Sequence, residues 1–111
     1  MANIVPTAVE GSTSYRWTDY STADEATPVR MQNMEGLAGA VQVTGTFGGA
    51  TIALQVSNNG TNFVTLNDAV GSPITFTAAG MREFSTAALF IKPTSSGGTA
   101  DNVTVTITLR G

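Results

Sequence analysis

The chain has 111 residues and a formal net charge of −3, with 41% hydrophobic but only 12% charged residues, and it contains neither cysteine nor histidine. That length suits one domain with one core, and the missing residue types exclude disulfide frameworks, thiolate or imidazole metal sites, and Ser-His-Asp or Cys-His catalysis. The basic residues Arg16, Arg30, Arg82, Lys92 and Arg110 are scattered along the chain, so no surface that follows a phosphate backbone is expected and nucleic acid is not a predicted partner.

The opening Met1-Ala2-Asn3-Ile4-Val5-Pro6 has no basic n-region and no long apolar h-region. No apolar run is long enough to span a bilayer, so synthesis in the cytoplasm and no membrane association are expected. Residues 1–36 carry Glu10, Asp19, Asp24, Glu25 and Glu35 against Arg16 and Arg30, and therefore hold all of the net charge. Their periodicity is weak, which predicts an N-terminal arm or edge element laid over a nearly neutral core at 37–111, the whole forming one domain. Within this arm Tyr15, Arg16, Trp17 and Tyr20 stand close together and include the chain's only Trp and both of its Tyr residues. They are the interface candidates. In one reading Tyr15 and Trp17 share a strand face and cap the core, and this is preferred; in the other the aromatics anchor a protein contact or stack on a sugar. Met31 to Ala38 is a weak helical candidate, cut short by Gly36 and Gly39.

From Ala40 onward apolar residues recur with a period of two, the mark of strands with one buried face. Val41, Val43 and Phe47 lead to Gly48-Gly49, after which Ile52, Leu54 and Val56 alternate with Ala53, Gln55 and Ser57. This reads as an antiparallel pair joined by a two-residue hairpin. Ser57 to Asn62 is rich in Asn and Gly and predicts a tight turn, followed by short strands at Phe63–Leu66, Pro73–Thr77, Met81–Phe84 and Ala88–Lys92. Pro93 to Asp101 reads as a surface loop. The last strand is the plainest: Val103, Val105, Ile107 and Leu109 alternate with Thr104, Thr106 and Thr108. Closely spaced short strands separated by turns predict an all-β fold, a single antiparallel β-sandwich of jelly-roll type.

The residues offer little chemistry. A carboxylate pair drawn from the eight acids could in principle hydrolyse a glycoside, but a sandwich of this size with short loops has little material for a cleft, so the chain is not expected to be an enzyme. Asp19, Asp24 and Glu25, helped by Asn58 and Asn59, could offer oxygen ligands to a hard cation, yet their spacing matches no calcium loop and solvated acids and turn-forming asparagines are the preferred reading. Gly48-Gly49 and Gly97-Gly98 read as turns, since no helix follows either to direct amides at a phosphate. No cofactor and no metal are expected.

The stretch from Gly45 through Leu66, with its Phe47-Gly48-Gly49 and Ser57-Asn58-Asn59-Gly60-Thr61-Asn62-Phe63 segments, resembles small proteins of tailed bacteriophages found among head genes. The resemblance runs on through Ile74 to Gly80 and Ile91-Lys92-Pro93 to the C-terminal strand, about the last two-thirds of the chain. It implies a capsid decoration or cement protein: a jelly-roll-like sandwich, often a homotrimer, that binds major capsid proteins on the outer surface of the virion. It carries over no catalytic residue. The alternative is a carbohydrate-binding or host-attachment module of a phage fibre or tail, with Trp17, Tyr15 and Tyr20 as the sugar platform.

Overall fold

The computed structural model describes residues 3–4, 6–9, 14–30, 38–68, 70–86 and 88–110. Its strands are β1 (Asn3–Ile4), β2 (Thr7–Val9), β3 (Ser14–Tyr20), β4 (Glu25–Ala26), β5 (Val29–Arg30), β6 (Ala38–Thr46), β7 (Thr51–Ser57), β8 (Val64–Thr65), β9 (Thr75–Phe76), β10 (Gly80–Ser85), β11 (Phe90–Ser96) and β12 (Asn102–Arg110). Sheet one has the order β10-β6-β12-β3-β2, and sheet two the order β5-β11-β7-β8, with β9 pairing β7 beyond β8. Pairing within both sheets is antiparallel, while β1 and β4 form a small parallel pair.

The order of strands follows a rule. With β8 and β9 taken as one broken strand, the chain from β3 onward passes from one sheet to the other at every connection but that from β7 to β8. Sheet one thereby gathers β3, β12, β6 and β10 side by side, and sheet two β5, β11, β7 and β8/β9, which is jelly-roll order. The expected all-β jelly-roll sandwich is the fold observed.

Alternation along each strand fills the space between the sheets. On β12, Val103, Val105, Ile107 and Leu109 are all buried while the threonines between them face outward. Ile52, Leu54 and Val56 of β7 and Ile91 of β11 meet them from sheet two. Each such side chain contributes about 1.5–3 kcal/mol by leaving water, which the Thr rows could not supply.

Two features differ from the sequence reading. Gly48-Gly49 is not a hairpin: β6 pairs β10 and β12, β7 pairs β11, β8 and β9, and the turn is the corner where the chain changes sheets. A corner and a hairpin demand the same positive φ, here 57° at Gly48 and 83° at Gly49, so glycine alone cannot tell them apart. The loop expected from Pro93 begins later, since β11 continues through Pro93 to Ser96. Proline is tolerated there because β5 pairs only Phe90 and Ile91, leaving Pro93 with Leu54 of β7 as its cross-strand partner on one side. The helical candidate at Met31 to Ala38 lies outside the described residues up to residue 37, and Ala38 opens β6.

The segment read as an arm or edge element contributes to both sheets. β2 and β5 lie at edges, whereas β3 is an inner strand between β2 and β12. On the far flank of the sandwich, Arg82 of β10 forms an ion pair with Asp68 in the turn between β8 and β9, and this links the two sheets where β10 ends sheet one. The Ser72 amide first, then the Arg82 guanidinium, hold the Asp68 carboxyl below its ordinary value of 3.8.

Candidate interaction surface

The four interface candidates separate by strand geometry. Trp17 pairs with Val105 and Tyr15 with Ile107, so both point to the inner face of sheet one, while Arg16 pairs with Thr106 on the outer face. Trp17 is wholly buried, its Nε1 donating to the Thr27 carbonyl at 2.9 Å. Simple alternation would send Tyr20 outward. A bulge prevents this: β3 advances three residues from Trp17 to Tyr20 while β12 advances two, from Val105 to Val103, and Asp19 takes a φ of 52°. Tyr20 is thus returned to the core at 3% exposure, with its hydroxyl donating to the Pro93 carbonyl at 3.5 Å. Burial pushes that hydroxyl up to about 12.

Core capping by Trp17 is therefore what the structure shows, and Tyr20 joins it. A sugar platform of Trp17, Tyr15 and Tyr20 is not formed on this surface, because two of its three rings lie inside the sandwich and Tyr15 is half-buried against the core. Arg16 alone of the four is fully outward, its Nε donating to Thr106 Oγ1 at 3.3 Å. Around it the outer face of sheet one presents Thr18, Gln42, Thr44, Thr104 and Thr106, a local patch of uncharged polar groups.

One polar centre escaped the sequence reading. Asp101, taken as the end of a loop, is 7% exposed, and its Oδ2 accepts hydrogen bonds from Thr22 N at 2.9 Å, Thr22 Oγ1 at 3.0 Å and Ser95 Oγ at 3.0 Å. Gly98 N in turn donates to Thr22 Oγ1 at 3.0 Å, so one carboxylate joins the β3–β4 turn, β11 and the loop before β12. The only signal in the sequence is an isolated acid closing an otherwise uncharged loop. Burial pushes this carboxyl up, but the Thr22 and Ser95 hydrogen bonds outweigh it and leave it below its ordinary 3.8. A depressed carboxyl contributes stability that is present above its unfolded value and lost as pH falls through the folded one, so loss is expected only below about pH 4. Asp101→Asn should cost about 2 kcal/mol at pH 7 and flatten the fall in melting temperature between pH 4 and 2. Thermal unfolding followed by circular dichroism across that range reads both; an unchanged acid slope would remove Asp101 from this role.

The acids considered for a cation are otherwise placed. Asp24 Oδ2 accepts from Ser21 N and Ser21 Oγ, both at 3.1 Å, closing a local turn, and among the described residues no three acidic side chains converge as a metal site would require. Asn59 and Ser57 likewise bond the 57–62 turn internally. An open concavity of about 420 Å³ is lined by Glu25, Thr27, Thr61, Phe63 and Lys92. Its Lys92 ammonium lies 4.5 Å from the centre of the Phe63 ring, a cation–π contact that holds the wall together.

No family model matches the chain, and no curated protein matches it. Among solved structures, the SPBc2 prophage-derived protein YomS is similar at a TM-score of 0.54 and 10% identity, the match covering 94% of this chain and all (100%) of that one. A carbohydrate binding module from Cellvibrio mixtus lichenase 5A, in complex with cellotriose, gives a TM-score of 0.35 and 11% identity over 96% of this chain and 83% of that one. The first likeness extends across both sheets and is a likeness of fold.

Proposed function

We propose that this chain is a structural component of a bacteriophage particle, a decoration protein that binds major capsid proteins on the outer surface of the head and stabilises the shell as a homotrimer. The observation that carries the reading is the match of the whole jelly roll to a prophage-derived protein, taken together with the phage-like run from Gly45 to Leu66. The surface supports it. Outward rows of Thr, Gln and Ser suit repeated contact with another protein, and the described cations Arg16, Arg30, Arg82 and Lys92 lie on separate strands rather than along one track for nucleic acid. Neither a nucleophile–base pair nor an enzymatic role enters this reading.

Heads of the encoding phage prepared without the protein provide the test. Added protein should sediment with them and raise their resistance to heat and osmotic shock, because a ligand of the assembled shell stabilises it by mass action. Heads that neither recruit the protein nor gain resistance would refute the assignment.

A further inference from the structure

The described surface exposes the large apolar side chains Val64 at 65%, Val70 at 85% and Met81 at 61%. All lie on one flank. Val64 belongs to β8 at the edge of sheet two, Met81 to β10 at the edge of sheet one, and Val70 to the turn between β8 and β9. That turn is held in place by Asp68, whose Oδ1 accepts from Val70 N and Ser72 N at 3.0 Å and whose Oδ2 pairs with Arg82. Val70, Met81 and Glu83 share with this ion pair a shallow depression of about 320 Å³.

The depression borders a sheet edge that no described strand covers. Proteins usually shorten or interrupt their edges to prevent unwanted pairing, and here β2 has 3 residues and β5, β8 and β9 have 2 each. β10 is the exception, with 6 residues, no proline and, among the described strands, β6 as its partner on one side only. Pairing with a second copy is disfavoured by charge. An antiparallel two-fold that used the full strand would centre on Arg82 or Glu83 and set two like charges opposite each other.

We propose that β10 accepts an extended strand from a different protein. Met81 and Glu83 pair with Gln42 and Ala40 and share the outer face, whereas Arg82 pairs with buried Val41. The incoming strand therefore sets an apolar side chain into the depression between Val70 and Met81 and, two positions along, a Lys or Arg opposite Glu83. Main-chain hydrogen bonds to β10 supply the attachment, and this apolar–x–basic pattern supplies the selectivity.

The identity of the partner as a shell protein rests on the function proposed above, and the experiment separates the two. Wild-type protein, Met81→Lys, Glu83→Lys and the control Ser96→Lys are titrated onto heads prepared without the protein, after thermal unfolding has shown each variant folded. Met81→Lys and Glu83→Lys should each weaken binding at least tenfold, Ser96→Lys should not, and amide exchange at Met81 to Phe84 should slow on bound heads. If wild type binds but both edge variants bind equally well and those amides stay unprotected, the edge assignment fails while the shell reading stands. If wild type does not bind, the shell reading fails and this inference with it. A self-associated species in light scattering that Glu83→Lys disperses would show that the occupant is a second copy, which also overturns it.

Discussion

Trp17→Ala should lower the stability of the subunit by about 4 kcal/mol, the usual cost of emptying a buried tryptophan site. Trp17 is wholly enclosed by its own chain, and its indole N–H satisfies the Thr27 carbonyl in the segment leading to β5. Truncation thus opens a cavity and strips a carbonyl of its donor. For a domain whose total stability is about 5–15 kcal/mol this is a large share, and the urea midpoint should fall with little change in slope. Trp17→Phe keeps most of the volume and should lose roughly 2 kcal/mol, the hydrogen bond and part of the contact. A residue acting instead as an interface anchor would leave the urea midpoint of dilute, dissociated subunits where it was and weaken only assembly. That outcome would contradict the packing described for β3.

Gly48→Val should destabilise by about 3 kcal/mol or more, whereas Gly49→Ala should cost only about 1 kcal/mol. Both glycines have positive φ, 57° and 83°. What separates them is the neighbouring backbone: a Cβ on Gly48 would lie 2.2 Å from the Thr99 carbonyl oxygen, while nothing approaches a Cβ on Gly49 closer than 3.9 Å. Thr99 N also donates to Gly48 O at 3.0 Å, so the β6–β7 corner and the loop before β12 are joined at this point. Shifting one shifts the other and, through Gly98 and Thr22, disturbs the hydrogen bonds around Asp101. Denaturant titration of the two variants side by side checks the contrast; equal losses would mean that left-handed strain alone sets the cost and the close approach does not matter.

The strands from β6 onward could be found from sequence because their period of two is imposed by burial on one face. Val103 to Leu109 alternates without interruption, and every inward residue proved buried. Partnership between strands was not legible in the same way. Ile52 and Val43 have the same alternation whether they belong to one sheet or to two facing sheets, since the pattern records burial and not pairing. Gly48 could therefore be located as a turn while its role as a corner stayed hidden. The aromatic cluster illustrates another limit. Counting by two places Trp17 inward and Tyr20 outward, but the Asp19 bulge adds a residue and reverses the count beyond it, and nothing in Thr18-Asp19 announces a bulge. Asp101 was invisible for a related reason: of its three donors, two belong to Thr22, 79 positions away in the chain, and one to Ser95.

Sheet one closes through β12, which lies between β3 near the beginning of the chain and β6 in its middle. Tyr15 meets Ile107 and Ser14 meets Thr108, so β3 has no inner neighbour until β12 has been made. During translation β3 must wait, with Trp17 uncovered, and the core cannot close a piece at a time as it could in a chain of local hairpins. β12 is thus the strand on which sheet one depends, because a polypeptide stopped before Val103 lacks what holds the two halves of the sheet together.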